Sequence, residues 1–167
     1  PLVTLKVRHP SLLNLKYRGT LAKQNVALLR LCFLKGFLSQ HHETVSFVNA
    51  EQLAQRIGLR IEEEKDHHFS DYENALKCTL SKREEEFTIG GVVFSGPHPR
   101  LTLVNGFVLE MAPTGTILTI KNNDRPGIIG AIGACLGKHN VNIDQFNLGR
   151  DQKGGEAMAL LRVDEDI

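Results

Sequence analysis

Charge imbalance is nearly absent from this chain. Twenty Lys and Arg stand against 19 Asp and Glu, a formal net charge of +1. With no surplus of either sign, there is no global electrostatic case for binding nucleic acid or a membrane. No run approaches about 18 consecutive apolar residues, so no transmembrane helix is expected. Cysteine is scarce. Cys32, Cys78 and Cys135 stand far apart in apolar surroundings, with no C-x-x-C and no zinc spacing. The odd count and the lack of a signal peptide fit a reducing cytoplasm. Catalytic signatures are missing too: no G-x-G-x-x-G after a strand, no phosphate loop, no nucleophile elbow. The glycines at Gly127, Gly130 and Gly133 have the wrong spacing for a dinucleotide fingerprint, and they follow Pro126. The chain itself is therefore expected to be no enzyme and to carry no cofactor or metal.

What is there is an α+β pattern. The 167 residues have room for one domain or two small ones. Leu2–Val7 and Leu13–Gly19 alternate as strands do. Ala22–Ser39 reads as a helix apolar on too many sides to be solvated, so it should be largely buried. A short helix follows from Ala50 to Ile57, stopped by Gly58. Leu59–Lys65, Ala75–Leu80, Phe87–Ser95, Arg100–Val104 and Phe107–Met111 read as strands. Asn105-Gly106 between the last two is a two-residue hairpin signal, because both turn positions need positive φ. Helices first and strands afterwards predict an α+β domain with an antiparallel or mixed sheet. Pro113-Thr114-Gly115 is a short linker.

The densest information lies after it. Ile117-Leu118-Thr119-Ile120 is a β-run leading into Asn122-Asn123-Asp124-Arg125-Pro126-Gly127. A helix should span Ile128 to His139, with Pro126 in its first turn and Asp124 or Arg125 in the cap region. Its apolar anchor is Ile128, Ile129, Ile132 and Leu136. Its many glycines each cost on the order of 1 kcal/mol, which predicts another backbone close by. Strands from Asn142 to Arg150 and Ala157 to Val163 should flank a turn at Gly154-Gly155.

Strand, helix, strand, strand in that order, with Asn122–Gly130 and Val141-Asn142-Ile143, resembles the ACT domain, a ferredoxin-like βαββαβ module that binds amino acids. The resemblance covers roughly the last 50 residues and implies that βαββ is present, with the last helix and strand missing beyond Val163. The preceding part resembles the allosteric substrate-binding domain of the longer bacterial D-3-phosphoglycerate dehydrogenases. That likeness rests on Arg18-Gly19-Thr20-Leu21-Ala22, Phe47-Val48-Asn49-Ala50 and Asn105-Gly106, in that order before an ACT domain. A related domain occurs in iron–sulfur L-serine dehydratases. The implied division is a regulatory domain at 1–112 and an ACT domain at 113–167.

The resemblance implies the regulatory part of an NAD-dependent enzyme of serine biosynthesis, with NAD held by the parent and not by this chain. L-serine is the expected effector, and a homo-oligomer, dimer or tetramer, is expected through the ACT and regulatory domains. Asn122, Asp124 and Asn142 match the family's serine-binding positions. A carboxamide or carboxylate suits the ammonium, and a helix N-terminus suits the carboxylate. The plainer alternatives are Asp124 as an N-cap and Asn142 as a turn residue. Lys65, His67, His68 and Arg100 could form an anion pocket, or simply a solvated charged loop. His67-His68 or His41-His42 as metal pairs are disfavoured, because adjacent residues rarely face one ion. Two other functions stay open: the regulatory region of an iron–sulfur L-serine dehydratase, and an oligomerisation module without ligand.

Overall fold

The computed structural model describes residues 9–40, 42–68, 72–94 and 96–164. The strand expected at Leu2–Val7 lies outside them. Two compact units divide the chain, one running from Thr4 to Val92 and the other holding Val93 to Ile167.

In the first unit, β1 (Leu12–Gly19) leads through a 3-10 turn (Thr20–Lys23) to α1 (Ala27–Leu38) and α2 (Ala50–Arg56). β2 (Arg60–Asp66), β3 (Asn74–Lys82) and β4 (Glu85–Phe94) follow. The strands run in the order β2-β1-β3-β4. β1 and β2 are parallel, with Leu12 opposite Arg60 and Arg18 opposite Asp66. β1–β3 and β3–β4 are antiparallel, so the sheet is mixed as expected. A parallel pair cannot be joined by a tight turn, and α1 and α2 supply the crossover. β1 turns Leu13, Leu15 and Tyr17 fully inward, against Leu34 and Leu38 of α1 and Ala50 and Ala54 of α2.

The long helix departs from expectation in two ways. It starts at Ala27, because Thr20–Lys23 forms a separate 3-10 turn. It is also not largely buried. Leu34 and Leu38 are enclosed, but Leu28 is 62% exposed. A helix apolar on every side can press only part of its surface on a sheet. Phe33 and Phe37 stack at 6.2 Å between centroids, and the Lys35 ammonium lies 4.6 Å from the Phe47 ring. The cysteines also depart from expectation. Cys78 is buried, which pushes its thiol up to about 12, while Cys32 and Cys135 are exposed.

One polar network ties the first unit together. Arg30 on α1 donates from Nε to Glu51 of α2 at 2.8 Å and from Nη1 to Glu63 of β2 at 2.6 Å. The buried Tyr17 hydroxyl donates to Glu63 at 2.8 Å. Burial, then the Glu63 carboxylate, holds the phenol above its ordinary value. At the end of β1, Gly19 has φ +68, and a Cβ there would lie 1.9 Å from the Glu73 carbonyl oxygen. That turn is held by Asn74, whose side-chain oxygen accepts from the Leu21 N–H at 2.9 Å and from the Thr20 hydroxyl.

In the second unit, β5 (His98–Val104) and β6 (Phe107–Met111) form the expected hairpin, with φ 48 at Asn105 and 87 at Gly106. β7 (Thr116–Asn123), α3 (Ile128–Lys138), β8 (Ile143–Arg150) and β9 (Glu156–Val163) complete it. The three strands of this antiparallel sheet run β7-β9-β8. β9 is buried on both faces, from Ala157 through Leu161. Asn147 and Gly149, two apart on β8, share a face. Asn147 donates to the Glu110 carbonyl at 3.0 Å, and a Cβ on Gly149 would lie 2.6 Å from the Val108 carbonyl oxygen. β6 therefore lies over that face. The close backbone predicted for the α3 glycines is not found: a Cβ on Gly130, Gly133 or Gly137 meets open space among the described residues.

Two measurements test these packings. Gly149→Ala drives a methyl into the Val108 carbonyl, and denaturant unfolding should show a loss of about 1–3 kcal/mol. Arg30→Met strips Glu63 and Glu51 of their shared partner and should cost about 1–3 kcal/mol. An unchanged midpoint would mean that the network contributes nothing.

Candidate functional site

β7 and β8 both pair with β9, and the register sets one row across the sheet. Asn122 on β7 and Arg150 on β8 both stand opposite Ala157. Directly opposed residues share a face, so these side chains rise on one side of the sheet. Asp124 lies two residues past Asn122 and continues the pairing, its N–H donating to the Gly155 carbonyl at 2.8 Å.

The Asp124 carboxylate reaches across to the other edge. Its Oδ2 accepts from Arg150 Nη1 at 3.0 Å and from the Gly154 N–H at 3.1 Å. These bonds, first from Gly154 and then from Arg150, with Lys153 adding its charge, hold the carboxyl below its ordinary 3.8. Both bonds end on Oδ2, and Oδ1 has no protein partner among the described residues. Beneath them, Ala157 is fully buried. Asn122 donates from Nδ2 to the Asn123 carbonyl at 2.9 Å, while its Oδ1 is buried without a donor. A buried acceptor left unpaired costs about 1–3 kcal/mol.

Asp124 is not the cap of α3, contrary to one expectation. Gly127 occupies the N-cap with φ 90 and no side-chain bond, and Ala131 N–H donates to its carbonyl at 2.9 Å. Pro126 sits in the turn before that cap, not in the first helical turn, because Gly127 reverses the chain between them.

Asn142 lies at the opposite end of the same sheet. It precedes β8, where Ile143 stands opposite Val163, and its Nδ2 donates to Asp164 at 2.6 Å. From Ala157 to Val163 is about 20 Å at roughly 3.3 Å per residue. One chain therefore brings Asn122 and Asp124 together and keeps Asn142 apart.

Three of the four basic residues have local partners. Lys65 on β2 donates to the Gln24 carbonyl at 3.0 Å. His68 binds Asp66 through its ring nitrogen at 3.0 Å and its N–H at 3.1 Å, which pulls that carboxyl down to about 2. His67 is exposed beside it. Arg100 belongs to the second unit, with its Nε 3.5 Å from Glu110. An open cleft of about 430 Å³ near α2, lined by Glu43, Gln52 and Arg56 among others, includes none of the predicted residues. Among the described residues, no group of three His, Cys, Asp or Glu could hold a metal. No described helix is long and apolar enough to cross a membrane.

Sequence reasoning missed Arg150 and Gly154. Counting both strands back from a two-residue turn at Gly154-Gly155 would have set Arg150 opposite Ala159; the turn spans four residues, 152–155, which sets Arg150 opposite Ala157 instead.

Comparison with known proteins identifies both halves. Residues 5–105 match the D-3-phosphoglycerate dehydrogenase intervening domain. The chain belongs to that family. Residues 116–167 match the ACT domain. Among relatives, the D-3-phosphoglycerate dehydrogenase of Bacillus subtilis is 31% identical over 154 residues, 92% of this chain and 29% of that protein. That of Methanocaldococcus jannaschii is 33% identical over 155 residues, again 92% and 29%. That of Synechocystis is 35% identical over 152 residues, 90% and 27%. The chain thus spans less than a third of the relatives it matches. It has the domain pair of the regulatory region of a D-3-phosphoglycerate dehydrogenase.

The Asp124 clasp carries a pH signature. Because its folded pKa is depressed, the clasp's contribution is present above the unfolded value and is lost as pH falls through the folded one. The NMR shift of the Gly154 amide should stay constant from neutrality down to the ordinary carboxylate value, and move only below it.

Proposed function

We infer that this chain is the effector-binding part of an NAD-dependent D-3-phosphoglycerate dehydrogenase, cytoplasmic and oligomeric, with L-serine as feedback effector. The domain division at 1–112 and 113–167 belongs to the same reading. Asn122 and Asp124 take the effector's ammonium, and the first-turn amides of α3 complement its carboxylate. The observation that carries this reading is a pair of oxygens without donors among the described residues, Asn122 Oδ1 and Asp124 Oδ1, two residues apart on one side of the sheet. An ammonium brings three donors and no acceptor, the complement of such a pair.

Asn142 acts in this reading from a second copy, since in its own chain it stands at the far end of the sheet. The effector then bridges two subunits and stabilises one mutual arrangement of domains, with a coupling of about 1–3 kcal/mol typical of such control. In this reading NAD is held by the rest of the parent protein. The turn before α3 reverses at Gly127 and lacks the glycine spacing that admits a pyrophosphate.

A second reading, an oligomerisation module without ligand, is favoured by the intrachain bonds that Asp124 and Asn142 already make. Calorimetric titration of L-serine into the full-length protein, with sedimentation alongside, separates the two. Saturable heat and a tightened dimer are expected, with affinity lowered tenfold or more in Asn122→Ala and Asn142→Ala. If Asn142→Ala binds L-serine as tightly as the unaltered protein, the inter-subunit assignment is wrong. No heat at all would favour the ligand-free module.

A further inference from the structure

We propose that Arg150 binds the carboxylate of the amino-acid effector, and that its bond to Asp124 is a strap the effector opens by exchanging ion pairs. This rests on the effector reading above and adds a residue and a closed state to it.

The geometry runs through one row of the sheet. Asn122, Ala157 and Arg150 share that row, and Ala157 between them offers only a methyl group. The Asp124–Arg150 bond spans β9 over this row. Ala157 and Asn122 Oδ1 are sealed from solvent there. The acceptor that lacks a donor is thus buried in the form whose strap is closed. Removing the strap leaves a carboxylate on one side of Ala157 and a guanidinium on the other. Those are the two charges that an α-amino acid presents, with the signs reversed.

Only one guanidinium nitrogen, Nη1, is engaged with Asp124, and the Arg150 side chain is 55% exposed. Its remaining N–H groups can begin a paired contact with a carboxylate before the first bond breaks. Exchange then conserves ion pairs. One internal pair is lost, and two pairs to the zwitterion replace it. A molecule with an ammonium but no carboxylate would have to leave Arg150 unpaired. A molecule with a carboxylate but no ammonium would do the same to Asp124. The strap therefore selects for ligands that carry both groups close together. The Gly154 N–H remains to hold Asp124 as the ligand enters.

The test compares two ligands on three forms of the full-length protein. L-serine and L-serinamide, which keeps the ammonium but has no carboxylate, are titrated calorimetrically into the unaltered protein, Arg150→Met and Arg150→Lys. The expected result is an affinity for L-serine at least tenfold weaker in Arg150→Met and largely restored in Arg150→Lys. L-serinamide should bind Arg150→Met no more weakly than the unaltered protein. Equal weakening of both ligands would overturn the proposal, since Arg150 would then only position Asp124. L-serine binding unchanged or tightened in Arg150→Met would also overturn it, leaving the α3 amides as sufficient or Arg150 as a mere competitor. Absence of L-serine binding to the unaltered protein would remove the effector reading, and this inference with it. Circular dichroism of each variant guards against misfolding, and Arg150→Lys provides a second, conservative reading of the same site.

Discussion

The second unit depends on a strand that has no exposed face. Because β9 is covered on both sides, β7 and β8 must lie along its two edges, and slipping either by one residue would turn apolar side chains outward. That register fixes which polar residues meet at the sheet's end. Asn122 and Arg150 flank Ala157 because each is pinned to it by the packing of the residues below. The polar end of the sheet is thus a by-product of how the apolar middle is filled.

The first unit solves a different problem with the same economy. Its parallel pair requires a helical crossover, and that crossover must be tied back to the sheet. Apolar packing of Leu34, Leu38, Ala50 and Ala54 supplies most of the attachment. Arg30 then joins both helices to β2 through two carboxylates, and Tyr17 completes the set from beneath. Such a network adds less energy than the apolar contacts but fixes orientation more sharply, because each hydrogen bond fails with small displacements.

Local signals were legible in the sequence wherever the chain itself determines the conformation. Asn105-Gly106, Gly58, the alternation of β1 and the βαββ order of the second unit all appear where the residues placed them. What failed were expectations that depend on distant partners. Ala22 and Val26 are apolar and extend the helical pattern upstream of where α1 starts. They are buried as expected, but in a 3-10 turn and at the helix N-cap. Asp124 was given a cap as one role, whereas it bonds to residues about 30 positions away across a hairpin. The glycines of α3 predicted a close backbone that this chain does not bring. Of the candidate residues, Asn122 and Asp124 come together, and Asn142 does not within one chain. Only the register of three strands, not any local motif, could have shown that.

The hairpin of β5 and β6 carries a consequence for how these modules can be separated. The intervening-domain match ends at residue 105, inside the hairpin turn, and the ACT match begins at 116. β6 falls between the two, yet it covers the face of β8 that bears Asn147 and Gly149. Met158 and Leu160 rise on that same face, opposite Gly149 and Asn147. A gene fragment cut at residue 116 would leave those side chains bare, an apolar patch of the kind that drives unintended self-association. A fragment of the second unit, for recombination or for engineering, therefore has to keep β6, which the sequence module leaves out.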